Sequence, residues 1–263
     1  MSVTAAVAQF AACPDKPANR KFAVEAIASA ADAGAELVIL PENSMYADPK
    51  NGTTDAEPLD GEFATTIAQA AHANRVTVIA GMTERLTGDT RPANTLIAVD
   101  PAGELLGVYR KVHLYDAFGY RESDRITPAE IAAPVTFDLG GLRFAMMTCY
   151  DLRFPEMART LLDAGATAIA LPAAWLVGPA KEDHWQTLVR ARAIENTCYV
   201  LAAGQTGPAY SAQSLIADPM GTVLASAGEA PGHAIATLTA DRIESVRTTN
   251  PSLANRRFRV VPA

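Results

Sequence analysis

The sequence predicts an α/β protein, on three observations. Strand-like and helix-like segments alternate from one end of the chain to the other. The strand-like runs are short, and several close on Pro or Gly. They are apolar on successive residues, the pattern of interior strands covered on both faces.

Val3 to Phe10 is the first strand. A helix from about Lys16 to Ala33 follows, rich in alanine and closed by Gly34. Leu37 to Leu40 is a short buried strand ending in Pro41, and a helix over Glu62 to Asn74 precedes the strand Val76 to Ala80, which ends in Gly81. Asn94 to Val99 and Leu105 to Tyr109 are joined as a hairpin through Pro101-Ala102-Gly103. From about Leu114 to Pro134 the chain is polar and aperiodic, which at that length predicts a functional loop. Leu142 to Thr148 is an interior strand leading into Cys149, and Pro155 with Glu156 marks the start of a helix reaching about Ala164. Thr167 to Leu171 is a strand closed by Pro172. The helix Glu182 to Asn196 mixes charges with aromatics and is expected to cover a sheet with one face. Cys198 to Ala203 is another interior strand. Hairpin turns are expected at Asp218-Pro219-Met220-Gly221 and at Pro231-Gly232, followed by a tail carrying Arg256, Arg257 and Arg259. With no linker, repeat or low-complexity segment in view, one domain over residues 1–263 is the economical reading.

Composition narrows the functional classes. Apolar residues make up 49% of the chain and charged residues 19%, as in a globular enzyme. The net charge of −7 argues against nucleic acid or an anionic membrane as a partner, and the basic tail is too short to change that. Met1 to Phe10 has no basic n-region, so it reads as a strand and not as a signal peptide. No apolar run approaches the roughly 20 residues that span a bilayer. Cys13, Cys149 and Cys198 are odd in number, widely spaced and free of any C-x-x-C pair, which fits a reducing cytoplasm.

Three polar residues follow strand ends: Glu42 after Leu37 to Pro41, Lys111 after Leu105 to Tyr109, and Cys149 after Arg143 to Thr148. Each alone has a plain structural reading: a helix N-terminal charge, a solvated strand-end charge, a small packed hydrophobe. Together they meet a chemical need. The thiolate is the nucleophile, and a cysteine of pKa near ~8.5 is mostly thiol at neutral pH. Glu42 can serve as its base if burial raises its pKa. Lys111 can stabilise the thiolate and a tetrahedral oxyanion, with the Tyr150 N–H as a second oxyanion donor. A guanidinium such as Arg153 suits a distal substrate carboxylate; the rival reading anchors it to Asp151 or Glu156. His113 and His184 read as structural histidines; neither has a cysteine or second histidine at metal-ligand spacing. Cys198 reads as core and Cys13 as a loop thiol.

These residues resemble a known family. Leu40-Pro41-Glu42-Asn43, Tyr109-Arg110-Lys111-Val112-His113-Leu114 and Cys149-Tyr150-Asp151-Leu152-Arg153-Phe154-Pro155-Glu156 match, in order, the three signature segments of the nitrilase (carbon–nitrogen hydrolase) superfamily. The similarity continues through Leu171-Pro172-Ala173-Ala174-Trp175 and from His184-Trp185 to Asn196. The resemblance implies a four-layer α-β-β-α sandwich and a catalytic Glu-Lys-Cys triad of Glu42, Lys111 and Cys149. It also implies a second glutamate in the following loop, matched by Glu122, and substrate contacts from Tyr150, Arg153, Ala173 and Trp175. It calls for no cofactor or metal, and it implies a homodimer or higher homo-oligomer with the Glu182 to Asn196 helix at the interface. Tyr150-Asp151 is unlike the Trp-Glu of true nitrilases. It is similar to the amidase branch that includes ω-amidases and deaminated-glutathione amidases, so hydrolysis of a small amide through a thioester is expected. The rival readings are a nitrilase and an inactive binding or scaffold homologue.

Overall fold

Two six-stranded sheets form the centre of the molecule, seen in a computed structural model that describes residues 1–49, 55–211 and 213–262. The first sheet has the order β14-β1-β2-β3-β4-β5, with β1 (Ser2–Gln9), β2 (Leu37–Ile39), β3 (Thr77–Glu84), β4 (Ala93–Val99), β5 (Leu105–Arg110) and β14 (Gly232–Thr239). The second has the order β13-β12-β11-β10-β9-β8, with β8 (Thr136–Leu139), β9 (Leu142–Met146), β10 (Ala168–Ala173), β11 (Tyr199–Gly204), β12 (Leu215–Ala217) and β13 (Val223–Ser226). Strands β1, β2 and β3 are parallel, as are β9, β10 and β11; the flanking pairs are antiparallel. Helices α1 (Lys16–Asp32) and α2 (Glu62–Asn74) connect the first parallel set, and α3 (Pro155–Asp163) and α4 (Lys181–Asn196) the second.

The layers follow from the period-2 alternation of strand side chains. In β1, Val3, Ala5 and Val7 face the second sheet, while Ala6 and Ala8 face α1 and α2. In β2 and the residue after it, Leu37 and Ile39 point one way and Val38 and Leu40 the other. Three apolar clusters result: one between the sheets, one under α1 and α2, and one under α3 and α4. This is the expected α-β-β-α sandwich.

Several local readings need correction. Strand β3 does not end at Gly81 but runs on to Glu84, fully buried. Pro172 lies inside β10 and not after it. Its missing N–H is tolerated because β9 pairs only with Ala168 to Ala170, so no partner on that side needs the donor. The Asp218 to Gly221 turn does join a hairpin, β12 to β13. Pro231-Gly232 does not: it passes the chain from the second sheet to β14 in the first. The expected tail therefore contains β14 and a further helix, α5 (Ala240–Thr249), before an exposed C-terminal stretch. The loop 114–134 holds the small pair β6 (Asp116–Ala117) and β7 (Tyr120–Arg121), then a 3₁₀ turn over Glu122–Asp124.

Candidate active site

The strand ends that carry Glu42, Lys111 and Cys149 meet at one edge of the sandwich. Strand β5 lies two antiparallel steps from β3 and so runs in the same direction. Its carboxyl end therefore opens beside that of β2, and β9 delivers Cys149 from the facing sheet. Open α/β sheets place their ligand crevices at such carboxyl ends.

Lys111 is buried, and its ammonium bridges two carboxylates: Nζ donates to Glu42 Oε1 at 2.8 Å and to Glu122 Oε2 at 3.0 Å. Burial alone lowers a lysine pKa, but Glu122 and Glu42 prevail and hold it well above the usual value. Glu42 Oε1 also accepts from Asn94 Nδ2 at 2.7 Å, and Oε2 accepts from the Ala174 N–H at 2.7 Å. Gln205 Nε2 donates to the Glu42 carbonyl at 2.9 Å. Glu122 is tied down by Asn94 Nδ2 at 3.0 Å and by the Tyr115 N–H at 2.7 Å, which folds the polar loop back over the site. It pairs with neither Arg121 nor Arg125 through its side chain.

Cys149 is 7% exposed and sits at φ 45°, in the left-handed region that non-glycine residues rarely occupy. It opens a 3₁₀ turn, Cys149–Arg153, directly after β9. Burial raises its thiol pKa well above the ordinary value; Glu42 pushes the same way, and Lys111 opposes. The resting site is thus a neutral thiol against a carboxylate, with an ammonium alongside. Cys198, by contrast, is a core thiol pushed up to about 12 by burial.

Asp151 explains how the turn is held. Its fully buried carboxylate accepts from the Thr148 N–H at 2.8 Å, from Tyr109 Oη at 2.5 Å and from the His113 N–H at 3.3 Å, and it pairs with His113 Nδ1 at 2.7 Å. Tyr109 and His113 flank Lys111 in sequence, so this clasp ties the lysine strand end to the turn that carries Cys149. His113 also stacks on Phe154, with ring centroids 3.8 Å apart, and is a structural histidine. Arg192 of α4 supports the other end of the turn by donating twice to the Leu152 carbonyl, at 3.0 and 2.8 Å.

The pocket beside Cys149 has a volume of about 70 Å³ and is lined by Glu42, Lys111, Glu122, Ala174, Trp175 and Lys181, among others. The expected substrate contacts divide there. Trp175 lines the pocket. Ala173 does not: its side chain is wholly buried in the core under α3 and α4, and Ala174 faces the pocket instead. The Tyr150 side chain is not part of the lining; its ring packs edge-on against Tyr115 and Phe154. Arg153 is anchored by neither Asp151 nor Glu156. Its guanidinium carbon lies 4.7 Å from the Trp175 ring centroid, and Nη2 is 3.4 Å from His184 Nδ1. Among the residues the sequence did not single out are Asn94, which bonds both glutamates, and the pocket-lining Lys181. Asn94 opens a strand as a polar residue among apolar ones, the signal that could have marked it. Lys181 reads in sequence as an ordinary helix charge. Among the described residues, no three His, Cys, Asp or Glu side chains gather as metal ligands.

Comparison with known proteins agrees with this fold. Residues 4–248 match the carbon–nitrogen hydrolase family model. The chain is 39% identical over 256 residues to a deaminated glutathione amidase of Escherichia coli O157:H7, covering 96% of this chain and 97% of that one. A crystal structure of a CN-hydrolase superfamily protein from Xanthomonas campestris superposes with a TM-score of 0.87 at 25% identity, covering all of both chains. A Saccharomyces cerevisiae member of the nitrilase superfamily does so with a TM-score of 0.83 at 26% identity, covering 98% of this chain and 97% of that one. Through its sequence and its four-layer fold alike, the chain belongs to the carbon–nitrogen hydrolase family of the nitrilase superfamily and is a carbon–nitrogen hydrolase.

Proposed function

We propose that the protein is a cysteine-dependent amidase, built as one domain, that hydrolyses a small non-peptide carboxamide through a thioester on Cys149. The observation that carries this reading is the convergence of a buried thiol, the Glu42 carboxylate and the Lys111 ammonium on one pocket. Glu42 takes the thiol proton as sulfur attacks the amide carbon, and Lys111 with the Tyr150 N–H stabilises the oxyanion that forms. Collapse of the tetrahedral intermediate breaks the C–N bond, and the departing ammonia or amine receives the proton from Glu42. Glu42 then takes a proton from water as its oxygen attacks the thioester. Release of the acid returns that proton to sulfur. Glu122 and Asn94 hold Lys111 and Glu42 in register for both halves.

The relatives named deaminated glutathione amidase favour an amide carried by a small carboxylic acid. The reading includes a homo-oligomer with α4 at the interface and a cytoplasmic location. No described helix is long and apolar enough to cross a membrane.

The test is intact-mass analysis of enzyme quenched with acid during turnover of small amides. An adduct of the acyl mass on Cys149 is expected in the wild type, forming more slowly in a Glu42→Gln variant and absent from Cys149→Ala. Turnover of matched nitriles with inert amides would instead identify a nitrilase. Amide hydrolysis surviving in Cys149→Ala would remove the thioester from the mechanism.

A further inference from the structure

Asp151 carries a carboxylate with no access to solvent, and it does not line the pocket beside Cys149. A buried carboxylate is costly unless its oxygens are hydrogen-bonded. Here the two oxygens face different parts of the chain. Oδ2 accepts from the N–H of Thr148, the residue before Cys149, at 2.8 Å and from Tyr109 Oη at 2.5 Å. Oδ1 pairs with His113 Nδ1 at 2.7 Å and accepts from the His113 N–H at 3.3 Å. Tyr109 Oη in turn accepts from the Val112 N–H at 3.4 Å.

These bonds join two segments where the reaction needs them in register. Tyr109, Val112 and His113 bracket Lys111, whose own N–H donates to the Asn94 carbonyl on β4 of the first sheet at 2.9 Å. Thr148 and Cys149 follow β9 of the second sheet. An oxyanion is stabilised where its donors stand about 2.7–3.1 Å from one point. In the mechanism above those donors are Lys111 Nζ and the Tyr150 N–H, one from each sheet. Apolar packing between the sheets is non-directional and does not fix such a distance, whereas hydrogen bonds do. The backbone of Cys149 makes a similar demand. Its φ of 45° is a sparsely populated state, which persists where neighbouring contacts hold it. Asp151 supplies the hold on one side of Cys149, through Thr148.

We propose that Asp151 is a positioning residue of the reaction: by fastening Tyr109 and His113 to the turn that carries Cys149, it sets the distance between the two oxyanion donors. This rests on the amidase reading and deepens it. Neither Asp151, Tyr109 nor His113 lines the pocket, so loosening them leaves substrate binding in place and weakens the transition state.

The test reads kcat and KM for butyramide, and the affinity for butyraldehyde measured as protection of Cys149 from iodoacetamide. The Cys149 sulfur bonds to the aldehyde carbon, the carbonyl π pair moves to oxygen, and the thiol proton passes through Glu42 to that oxygen. The oxygen of this adduct lies where the oxyanion forms, and no C–N bond has to break. Tyr109→Phe, which removes one hydroxyl, is expected to lower kcat by about 10- to 100-fold, the range for a small misplacement of reacting groups. Its KM should stay within about threefold of wild type, as for an interaction made only in the transition state. Butyraldehyde affinity should fall by the same factor as kcat. Asp151→Asn keeps the shape and one acceptor, and should retain more of both than Asp151→Ala. A lowered Tm with unchanged butyraldehyde affinity in Tyr109→Phe and Asp151→Asn would make the clasp structural only and overturn the proposal. If the Asp151 variants do not fold, Tyr109→Phe decides alone. If no amide is hydrolysed but butyraldehyde affinity falls in Tyr109→Phe, the amidase reading fails and the positioning role stands. If butyraldehyde binds wild type and Tyr109→Phe equally, or neither, the positioning role fails.

Discussion

At Cys149, burial and the Glu42 carboxylate favour the thiol, while the Lys111 ammonium favours the thiolate. The balance lies with the thiol, so reactivity depends on a proton acceptor in contact and not on a standing thiolate. The consequence is measurable by alkylation with iodoacetamide across a pH series. In the wild type the midpoint should lie above the ordinary cysteine value of about 8.5. Glu42→Gln removes a negative neighbour and should move the midpoint down; Lys111→Met removes the opposing positive charge and should move it up. A midpoint that stays put in Glu42→Gln would mean that the carboxylate does not act on the thiol. At this scale the sequence was most legible where chemistry demands a residue type, as with Glu42, Lys111 and Cys149. It was least legible where the demand is spatial. Asn94 holds two carboxylates that are far apart in sequence, at 2.7 and 3.0 Å, and nothing local reveals that. Ala173 and Ala174 are adjacent alanines, and only the strand pleat decides which one faces the pocket.

Among the secondary-structure elements, β2 and β3 show how closely the site is packed. A Cβ on Gly81 would stand 2.7 Å from Glu42 Cα and 2.8 Å from the Pro41 carbonyl oxygen, both backbone atoms that have no rotamer to yield. Gly81 therefore marks a close approach of β3 to the Glu42 segment, whereas in sequence it looks like a strand end. Gly81→Ala should displace Glu42. We expect a loss of at least 10-fold in kcat/KM, with Tm lowered by roughly 2–10 °C for ~1–3 kcal/mol of overpacking. A variant with lowered Tm and kcat/KM within twofold of wild type would show that Glu42 does not depend on this contact. The long, periodic elements were legible because their signals are local: α1 has its Asp15 cap, with the side chain accepting from the Ala18 N–H at 3.0 Å. Helix α5 was missed because ten residues with only Ile243 and Val246 buried carry little periodicity. Its Thr239 cap, accepting from the Arg242 N–H, was the available signal.

The whole molecule repeats a topology that its sequence does not repeat. In each half, two helices link three parallel strands and an antiparallel hairpin follows, with one further antiparallel strand on the other edge. For the first sheet that edge strand is β14, which arrives from the second half and pairs with β1 from Ser2↔Thr239 to Gln9↔Gly232. The crossing is fastened by Gln9, whose Nε2 donates to the Gly228 and Ala230 carbonyls at 3.0 and 2.6 Å while its Oε1 accepts from the Ser214 N–H at 2.9 Å. A turn dipeptide such as Pro231-Gly232 announces a change of direction but not which sheet the chain rejoins, so the four layers were legible only through the family resemblance. The crossing makes β14 the strand that closes the first half. Truncation after Ala230 would bare the edge of β1, an apolar strand whose unpaired N–H and C=O groups invite intermolecular pairing. Such a chain should lose its cooperative melt and aggregate in size-exclusion chromatography. Truncation after Asn250 keeps β14 and α5 and should retain a cooperative melt, since much of what it removes is exposed, Phe258 at 90% among it. Soluble, cooperatively melting protein from the Ala230 truncation would show that the first sheet stands without its borrowed strand. Its loss would show that the sheet carrying Glu42 and Lys111 depends on a strand supplied from beyond the second sheet.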